Sequence, residues 1–100
     1  MLKGVTGAVM EEIKVFLVED EVVIREGIKK NINWEENGLI FCGDAPDGEL
    51  AWKEIREKKP EIVITDIRMP FMDGLELSKR IKEELPATEI IVLCGYGEFE

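Results

Sequence analysis

The sequence predicts an α/β fold, in which a parallel sheet is covered by helices on both faces. Runs of apolar, β-forming residues alternate with helical patterns in the order βαβαβαβ. Parallel strands joined by helices have right-handed crossovers and form such a layered domain. Two of the apolar runs, 15–18 and 62–65, end in acidic residues. This pattern places carboxylates at the edge of the sheet where α/β folds bind ligands.

The predicted strands are short runs rich in Ile, Val, Leu and Phe, which are typical of parallel strands buried on both faces. They cover residues 13–18, 39–43, 62–65 and 89–94.

The first helix is predicted over residues 22–32, where Ile24, Ile28 and Ile32 recur every four residues and form an apolar stripe. Because this stripe is apolar, we expect it to be buried against the sheet. A loop of turn-forming residues at 31–38 follows the helix, and Gly38 ends it.

The second and third helices are predicted from their caps. Asp47 can cap a helix over residues 48–58, and Asp73 starts the next helix in an Asp-x-x-Glu pattern with Glu76. Pro86 stops that third helix. The residues expected to face inward from these two helices are Leu50, Ala51, Ile55, Leu77, Ile81 and Leu85.

Composition excludes several classes of function. The 100 residues suit one domain, and 45% hydrophobic with 35% charged residues is ordinary for a globular protein. A net charge of −9 argues against direct binding of nucleic acid or an anionic membrane. No apolar run approaches the ~20 residues that span a bilayer, so we expect a cytoplasmic protein. The absence of histidine excludes His-dependent nucleophile pairs and zinc sites.

Acidic residues follow two of the predicted strands directly. Glu19, Asp20 and Glu21 follow the first strand, and Asp66 ends the third. Carboxylates brought together at one edge of the sheet are suitable ligands for Mg²⁺. The alternative is that these acids only cap helices and keep the loops hydrated.

These strand ends, together with the segments 67–74 (IRMPFMDG) and 90–96 (IIVLCGY), resemble the receiver domain of bacterial two-component response regulators. The resemblance runs from residue 13 to residue 100. It implies a flavodoxin-like parallel sheet with strand order 2-1-3-4. Within the segment 67–74, Pro70 and Gly74 are interpreted as residues that shape the loop.

The resemblance also implies the roles of individual residues. Asp66 would be the phosphoacceptor, with Mg²⁺ as the cofactor. Asp20 would bind the metal directly, Glu19 would act through a metal-bound water, and the backbone carbonyl of Arg68 would complete the ligands. The phosphoryl group would come from a sensor histidine kinase.

The sequence departs from the receiver pattern at two places. Cys94 stands where receivers carry a Ser or Thr hydroxyl that hydrogen-bonds the phosphoryl group, and a thiol is a weak donor. The chain also stops at residue 100, so residues 13–100 are interpreted as a truncated receiver that lacks strand five and helix five. Because strand four would then be an open edge, we expect self-association.

Residues 1–12 are expected to be a mobile N-terminal extension. The alternative is that the segment 5–10 fills the place of strand five in a neighbouring copy.

The sequence thus favours a phosphoacceptor signalling module whose transcriptional, DNA-binding output domain lies outside this chain. Two other functions stay open. One is an interaction or dimerisation module that has lost phosphorylation. The other is an aspartate-nucleophile phosphatase, although that chemistry usually requires an Asp-x-Asp pattern that the first strand does not offer.

Overall fold

The computed structural model describes residues 12–93. They form four strands, three α-helices and one short 3₁₀ turn. In chain order these are β1 (Ile13–Val18), α1 (Val22–Asn31), the 3₁₀ turn (Glu35–Asn37), β2 (Leu39–Ala45), α2 (Gly48–Lys58), β3 (Ile62–Asp66), α3 (Gly74–Glu84) and β4 (Glu89–Leu93).

The four strands form one parallel sheet in the order β2-β1-β3-β4, which confirms the predicted α/β fold and strand order. Among the described residues, β2 and β4 are the two edges. The structure contains no helix, within residues 12–93, that is both long and apolar enough to cross a membrane.

The pairing of β1 with β2 contains an irregularity that lengthens β2. Val15 pairs with Phe41 but Phe16 pairs with Gly43, so Cys42 is an extra residue in β2. A side chain at Gly43 would meet the Phe16 ring and the Lys58 ammonium group, each at 2.8 Å. Since pairing resumes after this bulge, β2 continues to Ala45, two residues beyond the predicted end.

The larger cluster of buried residues lies on the side of the sheet that α2 and α3 cover. Ala51, Ile55, Leu77 and Ile81 are buried there as predicted, and Leu85 is half-buried against them. The prediction for Leu50 was wrong, because its side chain is 48% exposed. Successive helical residues point about 100° apart. The buried face of α2 extends from Ala51 towards Trp52, so Leu50, on the other side of Ala51, faces solvent.

The predicted burial of the α1 stripe was also wrong. No residue of α1 is buried, and Ile24 is 43% exposed. The helix ends at Asn31, and Ile32 already has an extended backbone. Polar contacts join α1 to β2 instead: the Asp44 carboxylate lies 3.4 Å from Arg25 Nε and 3.1 Å from Lys29 Nζ.

Both predicted N-caps are present. The Asp47 carboxylate accepts a hydrogen bond from the Leu50 amide at 2.9 Å, and Asp73 accepts one from the Glu76 amide at 2.8 Å. The Glu76 carboxylate lies 3.5 Å from Arg80, one turn further along α3. Each capped helix therefore has one of its first amide groups satisfied by a side chain.

Several predictions fall on residues that the structure does not describe. Of the predicted N-terminal extension 1–12, residues 1–11 lie outside the described residues, and so does the whole segment 5–10 of the alternative exchange. Cys94 and the segment after it, 95–100, are also outside the described residues.

Candidate functional site

The structure brings three of the predicted site residues together at the carboxyl edge of the sheet. Val18 pairs with Thr65 in the neighbouring parallel strands, so Glu19 and Asp66 follow at the same level. Asp20 extends the same turn. Each of these three residues offers a carboxylate oxygen, and the three oxygens lie within 4.8 Å of one another.

Glu19 is the buried member of this carboxylate cluster, with 2% of its surface exposed. Burial raises the pKa of Glu19 to about 7, against the opposing hydrogen bond from the Glu21 amide and with smaller contributions from the neighbouring Asp66 and Asp20 carboxylates. The carboxylates repel one another, so a positive charge placed among them would be strongly stabilised.

The backbone after β3 fixes the position of Asp66. The Ile67 amide donates to Asp66 Oδ1 at 2.8 Å, and the Gly74 amide donates to the Ile67 carbonyl at 2.7 Å. A Cβ atom on Gly74 would overlap the Asp66 carbonyl oxygen. The glycine at the start of α3 therefore permits the close approach that the sequence predicted for this loop.

The loop between β3 and α3 is also attached to the start of α2. The Gly48 amide donates to the Met72 carbonyl at 3.1 Å, and a side chain at Gly48 would overlap that carbonyl. Phe71, the residue before Met72, has a left-handed backbone with φ 70° and an 83% exposed ring. Arg68, whose carbonyl is a predicted ligand, is exposed in the same loop.

The turn between β1 and α1 is held by three hydrogen bonds around Glu19. The Glu19 amide donates to the Ala45 carbonyl at 3.1 Å, and the Glu21 amide donates to Glu19 Oε2 at 3.1 Å. Arg25 Nη1 donates to the Glu19 carbonyl at 2.7 Å. Sequence reasoning did not single out Arg25 or its partner Asp44; the only signal was a basic residue one turn into the helix that follows the acidic cluster.

The donor set suits a hard divalent cation. Carboxylate oxygens are the ligands that Mg²⁺ prefers, and three of them converge here from two adjacent strands. The Asp66 and Asp20 carboxylates, which contribute to the raised pKa of Glu19 after the larger effect of burial, would also attract a cation. Within the described residues, this carboxylate cluster is therefore suited to bind Mg²⁺.

Comparison with known proteins is consistent with this arrangement. The response regulator receiver domain family matches residues 15–100. The chain is 46% identical over 87 residues to the transcriptional regulatory protein YesN of Bacillus subtilis, and 40% identical over 83 residues to a protein-glutamate methylesterase/glutaminase of Hahella chejuensis. These stretches are 87% and 83% of this chain, but only 24% and 23% of the two relatives.

A solved structure is similar over the same region. The receiver (REC) domain of AraT, a response regulator from Geobacillus stearothermophilus, superposes with a TM-score of 0.84 and 40% sequence identity. The match covers 87% of this chain and 67% of that domain. The chain thus spans about a quarter of the two curated relatives and two thirds of the similar structure.

Proposed function

The chain belongs to the response regulator receiver domain family, and from this premise we propose that it accepts a phosphoryl group on Asp66 from a sensor histidine kinase. One observation carries the proposal: Asp66 ends a central strand beside two further carboxylates, Glu19 and Asp20, within 4.8 Å. Aspartyl phosphorylation needs this combination of a nucleophilic carboxylate and a cation site.

The proposed transfer is a displacement at phosphorus. An Asp66 carboxylate oxygen forms a bond to the phosphorus atom while the bond from phosphorus to the donor histidine nitrogen breaks. The electron pair of that bond stays on the donor nitrogen, and the ring leaves as neutral imidazole when its other nitrogen carries a proton. The Ile67 amide orients the carboxylate through its hydrogen bond to Oδ1.

Glu19, Asp20, Asp66 and the Arg68 carbonyl would hold Mg²⁺, and the cation would neutralise charge on the transferring oxygens. Burial of Glu19 keeps one wall of the site partly dehydrated, which strengthens the electrostatic interactions within it. Asp20 would be the direct ligand, and Glu19 would act through a bound water.

The relatives support a proposal for the wider role of the module. YesN is called a transcriptional regulatory protein, and this chain matches about a quarter of it. We propose that this module acts in the cytoplasm and controls a DNA-binding output domain beyond the matched region. With a net charge of −9, this chain itself is not proposed to bind nucleic acid.

The test is intact-mass measurement after incubation with acetyl phosphate and Mg²⁺. We expect one stable adduct, which should not form when Mg²⁺ is chelated before the incubation. The matched control is Asp66→Asn, which keeps the shape of the side chain but removes the nucleophile. Donor hydrolysis without an adduct would indicate the aspartate phosphatase, and neither reaction would indicate an interaction module.

Cys94 is tested separately, because it lies outside the described residues. Cys94→Ser supplies the hydroxyl that other receivers carry, and we expect a faster or more complete adduct. Equal labelling of the parent and the Cys94→Ser variant would show that the thiol is harmless.

Self-association also stays a prediction. In β4, an edge strand among the described residues, Ile91 is 48% exposed and Val92 is exposed beside it. Exposed apolar edge strands favour pairing between copies. Light scattering that gives a monomer mass at all concentrations would contradict this expectation.

A further inference from the structure

One residue outside the carboxylate cluster contacts its backbone directly. Arg25, in the second turn of α1, donates from Nη1 to the carbonyl oxygen of Glu19 at 2.7 Å. Its side chain is 16% exposed, so the contact is largely shielded from water. A guanidinium donor on a backbone carbonyl is a charge-assisted hydrogen bond, which is stronger than a bond between neutral groups.

Arg25 is itself held from the opposite side. Its Nε lies 3.4 Å from the Asp44 carboxylate on β2, and the same carboxylate lies 3.1 Å from Lys29 Nζ. The planar guanidinium group can bind two acceptors at fixed angles. Arg25 therefore joins three elements, namely the end of β1, the start of α1 and the edge strand β2.

The contact from Arg25 adds to the hydrogen bonds that the Glu19 amide and the Glu19 carboxylate make in the turn. Glu21, the N-cap residue of α1, makes no side-chain cap hydrogen bond, and α1 buries no residue. Apolar packing thus fixes α1, and the turn that carries Glu19 and Asp20, less firmly than it fixes α2 and α3. The hydrogen bond from Arg25 to the Glu19 carbonyl fixes the backbone between these two carboxylates.

We propose that Arg25 is a positioning residue for the cation site: it fixes the β1–α1 turn so that the carboxylates of Glu19 and Asp20 face Asp66. The inference rests on the proposed function only in taking Mg²⁺ as the cation of this site. Residues that orient metal ligands typically change metal affinity by about 10- to 100-fold when they are replaced.

The sign of the effect separates positioning from simple electrostatics. Arg25 is a cation near a cation site, so removing its charge should strengthen Mg²⁺ binding if charge alone mattered. Positioning predicts the opposite. We expect Arg25→Met, which keeps an apolar stem but has no donors, to weaken Mg²⁺ binding about tenfold.

Arg25→Lys retains the charge and tests the geometry alone. A single ammonium group cannot reproduce the guanidinium fork that bridges Glu19 and Asp44. We expect Mg²⁺ affinity between those of the parent and Arg25→Met. The matched control is Arg80→Met on α3, where the arginine lies 3.5 Å from the exposed Glu76, and it should bind Mg²⁺ like the parent.

The measurements are isothermal calorimetry with Mg²⁺ alone and melting temperatures with and without Mg²⁺. If Arg25→Met binds Mg²⁺ as tightly as the parent, or more tightly, the inference is overturned, even if the variant melts earlier in both conditions. Should Arg25→Met fail to fold, a folded Arg25→Lys that binds like the parent overturns it equally.

The two proposals fail in distinguishable ways. A parent protein that binds no Mg²⁺ overturns the metal assignment together with this inference. A parent that binds Mg²⁺ but forms no adduct with acetyl phosphate overturns only the phosphorylation, and the calorimetric result for Arg25 still decides the positioning role.

Discussion

The two sides of the sheet are built differently. On one side, α2 and α3 begin at side-chain caps and pack their apolar rows into a continuous core around Phe16, Val18 and Val63. On the other side, α1 has no side-chain cap and no buried residue, and it is joined to β2 through Asp44.

Because of this difference, the carboxylates of the candidate site are held in position in two different ways. Asp66 belongs to the densely packed side, because its loop is bound to the starts of α2 and α3 through Gly48 and Gly74. Glu19 and Asp20 precede α1, whose attachment is polar. The proposed phosphoacceptor is thus fixed by packing, whereas two of the proposed cation ligands depend on a few directed hydrogen bonds.

The largest contrast is expected between apolar truncations on the two sides. Leu77→Ala removes a fully buried side chain and should lower the free energy of unfolding by about 2–5 kcal/mol. Ile24→Ala removes a side chain that is 43% exposed and should cost less than about 1 kcal/mol. Urea denaturation measures both, and similar losses would show that α1 is packed as firmly as α3.

The next contrast concerns the ionisation of Glu19. Its pKa of about 7 in the fold lies above its ordinary value of 4.5, so the folded state holds an extra proton between these pH values. Without metal, the free energy of unfolding should fall by at most about 3 kcal/mol as pH rises from about 4.5 through 7. Above that pH it should level off.

Glu19→Gln isolates that contribution, because it keeps the size of the side chain and cannot ionise. The variant should lose this part of the pH dependence in denaturation series without Mg²⁺. Because a proton and the cation compete for the cluster, Mg²⁺ affinity of the parent should rise as pH increases through 7. An affinity that is equal at pH 6 and pH 8 would contradict the raised pKa.

Two glycines give a third contrast with opposite signs. Gly74→Ala places a methyl group against the Asp66 carbonyl and should destabilise the fold by about 1–3 kcal/mol or more. Gly27, in the middle of α1, has open space around its missing side chain. Gly27→Ala should stabilise the protein by about 0.5–1 kcal/mol through helix propensity. Thermal melting of both variants checks the signs.

The smallest contrast lies in the helix caps. Asp47→Ala and Asp73→Ala each remove a carboxylate that accepts a backbone amide, and each should cost about 1 kcal/mol. Glu21→Ala at the start of α1 removes no such cap bond and should change stability by no more than about 0.5 kcal/mol. A loss of about 1 kcal/mol there would show that Glu21 caps the helix in solution.

The sequence predicted the parts of the fold that depend on local patterns. Neighbouring residues determine the apolar strand runs, their alternation with helices and the two Asp caps. All of these features are present. The same logic brought Glu19, Asp20 and Asp66 together, since parallel strands end at one edge. The family resemblance supplied the strand order and the roles of these residues.

What the sequence did not predict depends on contacts between distant elements. The i, i+4 stripe of α1 is a sound amphipathic pattern, but periodicity says only which face is apolar and not how closely the sheet approaches it. The bulge at Cys42 and the bridge from Arg25 to Glu19 and Asp44 depend on the register of β1 with β2. Neither can be inferred from local sequence.

The attachment of α1 through Asp44 makes the two sides of the sheet respond oppositely to ionic strength. Its ion pairs, at 3.1 and 3.4 Å, involve side chains that are one sixth to one third exposed, so dissolved ions screen them in part. Strongly hydrated salts such as sulfate increase the cost of exposing apolar surface and so tighten the core under α2 and α3. Concentrated sulfate should therefore stabilise the core next to Asp66 while it weakens the ion pairs that attach the helix next to Glu19 and Asp20.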